Sequence, residues 1–331
     1  MFAALVCPLA ATASPRTSAW DQPQIDAVTA AGLLGGDATD FRPGDPLTAG
    51  DLADLVAGLT GKAAVAPADP AATVTIGQLD AALVRGEGLG STAARFRAAL
   101  VAAGLNPPAR FGPEVVARLL GFRTDHPQSQ EYLETPPSGV ASRAEAAFSA
   151  AKILGWQGWE KQYVTGISAT LQMPVVTGWQ QTILRQAVSL IGYPYVFAGT
   201  SEKPQTVLGK AVPGGFDCSG FVWRVYKLAA YAKGTPLADV LQGRTTYAMS
   251  GEVPASKRIS FASLEPGDVL FFGTSGPRSK PSQIYHTGIY LGGGWMIHSS
   301  GQGVALAPIS TGYYATRFAW ARRPLAEAGL Y

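Results

Sequence analysis

The chain has 331 residues, 47% of them apolar and 15% charged. That composition excludes a disordered polymer and exceeds what one small core usually serves, so two compact domains are expected. The net charge of +3 is uneven: residues 1–176 carry 12 Lys/Arg against 16 Asp/Glu, and residues 177–331 carry 14 against 7. A basic C-terminal half favours a polyanionic partner. Nucleic acid and an anionic cell wall are both candidates; the charges are spread and not interleaved with aromatics, which ranks nucleic acid low.

The first segment, Phe2-Ala-Ala-Leu-Val-Cys-Pro-Leu-Ala10 followed by Ala11-Thr-Ala13, reads as the end of a signal peptide cleaved after about Ala13, although the basic n-region is missing. Cys7 as a lipoprotein cysteine is disfavoured by Val6, which is not the small residue such sites want. With the leader removed, Cys218 is the one remaining thiol of the two cysteines, a reactive candidate and not half of a disulfide. No other apolar run approaches the roughly 18 residues of a membrane span.

Next comes a degenerate repeat. Thr48-Ala-Gly-Asp51, Thr75-Ile-Gly-Gln78 and Ser142-Arg-Ala-Glu145 each precede an Ala/Leu-rich stretch of helical period. A hydroxyl residue with a carboxylate or amide three positions on is a capping box, so three helices are expected to start there. Ahead of the first box run Trp20-Asp-Gln-Pro-Gln-Ile25, Ala30-Ala-Gly-Leu-Leu-Gly35 and Phe41-Arg-Pro43. This succession resembles the S-layer homology module; the later copies lack a clear Phe-x-Pro, and the boxes are irregularly spaced. The resemblance implies attachment to a secondary cell-wall polymer.

Residues 123–140, with Pro127, Pro136, Pro137 and Gly139, read as a long loop holding a solvated His126. After a break at Met173-Pro-Val-Val-Thr-Gly178, Trp179 to Ile191 carries a helical stripe of Ile183, Leu184, Ala187, Val188 and Ile191. Short strands with Gly/Pro punctuation follow. The expected division is a helical region over 20–172 and a second domain over 177–324.

Phe216-Asp-Cys-Ser-Gly-Phe-Val-Trp-Arg-Val-Tyr226 follows the turn Pro213-Gly-Gly215, with Phe221, Val225, Leu228 and Ala229 at helical spacing. Cys218 therefore begins a buried helix. Unpaired N–H groups and the positive end of the dipole favour thiolate there, lowering such thiols to about 3.5–7.5, and can hold an oxyanion. The alternative is a small apolar core residue; polar Asp217 and Ser219 on either side argue against it.

A thiol nucleophile needs a base, and the chain has three histidines. Tyr285-His-Thr-Gly-Ile-Tyr-Leu291 and Trp295-Met-Ile-His298 alternate across the turn Gly292-Gly-Gly294. Odd positions Ile289, Leu291, Trp295 and Ile297 are apolar and face the core, which puts His286 and His298 together on the other face. One imidazole can take the thiol proton while the second ring sets its tautomer.

Taken in order, Gly192-Tyr-Pro-Tyr-Val-Phe-Ala-Gly199, Phe216-Asp-Cys-Ser-Gly220, Arg244-Thr-Thr246, Leu264-Glu-Pro-Gly-Asp-Val-Leu-Phe-Phe272, His286-Thr-Gly-Ile-Tyr-Leu291 and Met296-Ile-His298 resemble the NlpC-type cell-wall peptidases. The resemblance implies an α+β papain-like domain, with helices on an antiparallel sheet, behind a mainly helical one. It implies Cys218 as nucleophile, His286 as base and His298 as third catalytic residue. Tyr195, Asp217, Ser219 and Arg244 become candidate substrate-binding residues. The implied substrate is a peptidoglycan stem peptide, typically cut at the γ-D-glutamyl to diamino-acid bond, with no cofactor and no metal. Two departures stand out. Phe197-Ala-Gly199 replaces the usual aromatic-Gly-Gly, and the segments Thr200–Gly215 and Gly273–Tyr285 are longer than usual; both long segments are expected to border the cleft.

A zinc site of Cys218, His286 and His298 lacks the closely spaced ligand pair that zinc sites carry. No Gly-x-Ser-x-Gly elbow supports a serine hydrolase. A non-catalytic wall-binding protein, or an amidase or acyltransferase with the same triad, stays open.

Overall fold

A computed structural model describes residues 20–35 and 40–331. The signal-peptide segment and Cys7 lie outside the described residues. Helices α1 (Gln22–Ala30), α2 (Ala49–Thr60), α3 (Ile76–Gly86), α4 (Gly90–Ala102), α5 (Phe111–Leu119), α6 (Arg143–Leu154) and α7 (Trp159–Ser168) make up the N-terminal region. All three capping boxes form: Thr48 with Asp51 opens α2, Thr75 with Gln78 opens α3, and Ser142 with Glu145 opens α6.

These three starts meet in a closed ring. Leu47 donates its N–H to the Ala141 carbonyl (2.8 Å), Ala141 to Val74 (2.8 Å) and Val74 to Leu47 (3.0 Å). A second ring surrounds it, with the N–H of Gly50, Gly77 and Ala144 reaching the carbonyls of Pro70, Pro137 and Pro43 at 2.9, 2.9 and 3.0 Å. Each proline stands five positions before a capping residue, a regularity more constant than Phe-x-Pro. The rings satisfy backbone groups that would otherwise be orphaned in the interior.

After helix α8 (Gly178–Ser189) come strands β1 (Thr200–Ser201), β2 (Gln205–Val207), β3 (Lys210–Val212) and β4 (Gly215–Phe216). Helices α9 (Cys218–Trp223), α10 (Leu237–Val240) and α11 (Thr246–Gly251) follow. Next are β5 (Val269–Gly273), β6 (Ile284–Gly292), β7 (Trp295–Ser300), β8 (Gly303–Pro308), α12 (Gly312–Arg317), β9 (Phe318–Arg322) and α13 (Pro324–Glu327). Strands β5 to β9 form one antiparallel sheet in the order β8-β7-β6-β5-β9. The fold is thus a helical region followed by an antiparallel α+β domain.

The two regions share one hydrophobic core that runs from Ile25 to Leu325. Phe96 of α4 packs edge-on against Trp295 of β7 at 5.8 Å, and the Trp295 indole N–H reaches Thr170 at 3.2 Å. Arg118 of α5, paired with Glu114, donates to the carbonyls of Gln302 (2.9 Å) and Gly192. The change of pattern between residues 172 and 177 is therefore not a gap in packing.

Two other expectations are corrected. His126 is 5% exposed and lies edge-on to Trp20 at 4.6 Å, so it is a buried packing residue and not a solvated one. Leu228 is 38% exposed, because a π-turn over Arg224–Leu228 continues α9 and shifts the helical stripe.

Candidate active site

The sheet is covered on both sides. Ile289, Leu291, Trp295 and Ile297 face the large core as the alternation predicts. The opposite face carries a second apolar cluster of Leu270, Phe272, Met296, Ala307, Ile309, Phe318 and Ala321. His286 and His298 lie on that covered face and are 9% and 3% exposed. His286 pairs with Phe272 on β5 and His298 with Ala305 on β8. A Cβ on Gly288 would stand 3.0 Å from the His298 Cβ, so the glycine makes room for that side chain. Across this gap His286 Nε2 meets His298 Nδ1 at 2.8 Å.

Asp217 caps α9 and holds the start of the helix through an internal network. Its Oδ1 accepts the Gly220 N–H (2.5 Å) and the Ser219 hydroxyl (3.0 Å), and its Oδ2 accepts the Ala198 N–H (2.9 Å). The Arg244 guanidinium reaches both carboxylate oxygens at 3.1–3.2 Å and donates to Ser219 Oγ at 2.6 Å. The helix sits so close to the preceding loop that a Cβ at Gly220 would come 1.9 Å from the Gly199 carbonyl oxygen. Asp217, Ser219 and Arg244, read as substrate-binding, are engaged with one another in fixing the backbone of Cys218. Tyr195 is bridged to Phe216, and burial together with Cys218, Asp217, Asp125 and Glu131 nearby holds its phenol protonated.

Cys218 is half-buried. The backbone N–H groups of Thr287, next to His286, and of Ser219 favour its thiolate, as does Arg244. Burial and the adjacent Asp217 outweigh them and push the thiol up to about 12. Burial likewise lowers His286 to about 4 and holds His298 well below its usual value, where the like charge of His286 adds to the effect. Burial therefore disfavours both the thiolate and the imidazolium. Desolvation of the thiolate thus works against the pull of the short helix N-terminus.

Two neighbours had no signal in the sequence. Tyr314 on α12 stands against both histidines, its hydroxyl 3.4 Å from His298 Nδ1. Glu131 comes from the 3₁₀ turn Gln128–Leu133 of the N-terminal region, and its carboxylate accepts the Phe197 N–H at 2.6 Å. The hairpin β2–β3, within the first long segment, packs against that same turn and encloses with it a cavity of about 400 Å³ lined by Glu131, Tyr132 and Lys210.

Residues 192–323 match the NlpC/P60 family. The chain carries an NlpC/P60 domain. Cys218, His286, His298 and Tyr314 all fall inside this domain, and Glu131 reaches it from outside. The chain is 34% identical over 141 residues to the probable peptidoglycan endopeptidase LytE of Bacillus subtilis, covering 43% of this chain and 33% of that one. It is 32% identical over 135 residues to the bifunctional muramidase/DL-endopeptidase CwlT of the same organism, covering 40% and 33%. To the murein DD-endopeptidase MepH of Escherichia coli it is 29% identical over 165 residues, covering 49% and 52%. The chain thus spans about a third to a half of the length of these relatives. Among solved structures, the NlpC/p60 domain of the peptidoglycan hydrolase SagA is 28% identical with a TM-score of 0.30, covering 43% of this chain and 97% of that one.

Proposed function

We propose that the chain is a peptidoglycan hydrolase, a cysteine endopeptidase that cuts stem peptides at the γ-D-glutamyl to diamino-acid bond. The observation that carries this reading is the assembly at the head of α9. The Thr287 N–H, next in the chain to His286, favours the Cys218 thiolate, and His286 has one ring nitrogen held by His298. The names of the relatives, peptidoglycan and murein endopeptidases among them, support the substrate class.

In this mechanism His286 Nδ1, the ring nitrogen not engaged by His298, takes the Cys218 proton as sulfur attacks the scissile carbonyl. Because burial opposes a standing ion pair, attack and proton transfer are coupled. N–H groups at the start of α9 stabilise the oxyanion. The imidazolium then returns its proton to the leaving amine, giving a thioester and a free amine. Water, deprotonated by the same imidazole, hydrolyses the thioester and regenerates the thiol. Cys218→Ala is expected to abolish release of stem-peptide fragments from purified muropeptides while the fold is kept. Retained hydrolysis would end the cysteine-peptidase reading, and the products distinguish endopeptidase from amidase action.

The action is expected outside the cytoplasm, on the wall. The N-terminal repeat is proposed to bind a secondary cell-wall polymer, as its likeness to S-layer homology modules implies; the three capped helices closed into a ring support that reading. The Cys218→Ala full chain should sediment with walls that retain the polymer and stay in solution with walls stripped of it.

A further inference from the structure

Away from Cys218 and the histidines, the seam between the two regions holds a cavity of about 430 Å³, within the roughly 300–1,000 Å³ of small-ligand sites. It lies between the C-terminal ends of α5 and α6 and the start of α7, and Gln302 of the β7–β8 turn lines it from the NlpC/P60 domain. None of the capping residues Thr48, Thr75 and Ser142 lines it, so it is separate from the ring of helix starts.

Trp159 and Tyr163, one turn apart on α7, are 60% and 44% exposed and meet edge-on at 6.4 Å. Trp156 beside them is already stacked on Phe122 at 5.6 Å, with the Lys161 ammonium over its ring. The free aromatic surface therefore belongs to Trp159 and Tyr163, and large rings left in water beside a cavity mark a contact surface. Polar groups stand around them. Lys152 has no hydrogen-bond or ion-pair partner among the described residues. The Glu160 carboxylate accepts the Gln157 N–H with both oxygens, at 3.2 and 3.0 Å, and keeps further lone pairs. The indole N–H of Trp156 and Oε1 of Gln302 are buried without a partner among the described residues, where buried polar atoms are normally paired.

We propose that this cavity binds a pyranose ring of the peptidoglycan glycan strand, with the sugar's C–H face on Trp159 and its hydroxyls on Lys152 and Glu160. The lining selects that chemistry. An aromatic face takes the C–H side of a sugar ring, while a donor and an acceptor together suit hydroxyls, which both give and take. A purely apolar ligand would leave the polar groups unpaired, a simple anion would meet Glu160, and a simple cation would meet Lys152. The choice of the peptidoglycan strand rests on the reading of the chain as a stem-peptide hydrolase. The stem is attached to that strand, and Gln302 directly follows β7, which carries His298. A sugar held here raises the local concentration of the peptide joined to it.

The test titrates peptide-free glycan strands, made by stripping the stems from peptidoglycan, into the full chain carrying Cys218→Ala. Calorimetry compares this parent with the added variants Trp159→Ala, Trp159→Phe and Lys152→Ala. Both positions are exposed, and unchanged melting temperatures confirm that the variants fold. The parent should bind. Trp159→Ala should weaken binding about tenfold, as truncation of an aromatic anchor does, and Trp159→Phe, which keeps an aromatic face, should recover most of it. A parent that ignores peptide-free strands overturns the proposal, and so does undiminished binding in both alanine variants. A parallel titration uses purified secondary wall polymer; Trp159-dependent binding of that polymer alone also overturns it. Binding needs no hydrolysis. Wild-type protein that fails to cleave muropeptides while Trp159-dependent binding persists ends the peptidase reading and leaves the sugar site standing.

Discussion

His286 Nε2 and His298 Nδ1 lie 2.8 Å apart with their rings almost perpendicular, at 88°. The two residues are not direct cross-strand partners, since Gly288 occupies the place opposite His298. The contact engages one nitrogen of each ring; under the proposed mechanism His286 Nδ1 serves the thiol and His298 orients His286. His286→Gln should lose about 10²–10⁴-fold in turnover, the usual worth of a general base. His298→Gln should keep measurable turnover, because an amide can still accept the one hydrogen bond. Steady-state rates on muropeptides decide between them, and a deader 298 variant would reverse the two roles.

The thiol of Cys218 is raised to about 12, so its thiolate fraction grows only as pH climbs towards that value. The rate of iodoacetamide alkylation should keep rising between pH 7 and 10. A plateau already reached below about pH 7.5 would instead mark the activated thiolate typical of helix N-termini.

Ala198 adopts φ +62° while donating its N–H to Asp217. Left-handed backbone costs a residue with a Cβ about 1–2 kcal/mol, and glycine returns about half of that gain through its freer unfolded chain. Ala198→Gly should therefore stabilise the protein by about 0.5–1 kcal/mol, read as a higher urea midpoint at unchanged slope. A lower midpoint would mean that the methyl group contributes packing that outweighs the strain.

Glu134 is buried, accepts the His126 backbone N–H at 2.7 Å, and has its carboxyl raised by burial from 4.5 to about 8. With the folded value above the unfolded one, its favourable contribution is complete below about pH 4.5 and is lost as pH rises through 8. Glu134→Gln stays neutral throughout. The melting temperature of the wild type should fall relative to the variant between pH 5.5 and 8.5, and parallel curves would show that this carboxyl does not titrate in the folded chain.

Local patterns were readable from the chain itself. A capping box needs only residues three apart, so all three helix starts at Thr48, Thr75 and Ser142 were legible, and so were the strand alternation that unites His286 with His298 and the helix that begins at Cys218. The prolines at 43, 70 and 137 are equally present in the spacing, five positions before each capping residue, where Phe-x-Pro is not repeated. What depends on distant residues was not legible. The core common to both regions, the burial of His126, the approach of Glu131 to Phe197 and that of Tyr314 to the histidines all join segments far apart in the chain. The protonation state of Cys218 belongs with these. The amino acids around it determine that a thiol stands at a helix start, but desolvation by the whole fold pushes that thiol up, since the cost of a buried charge depends on everything packed around it.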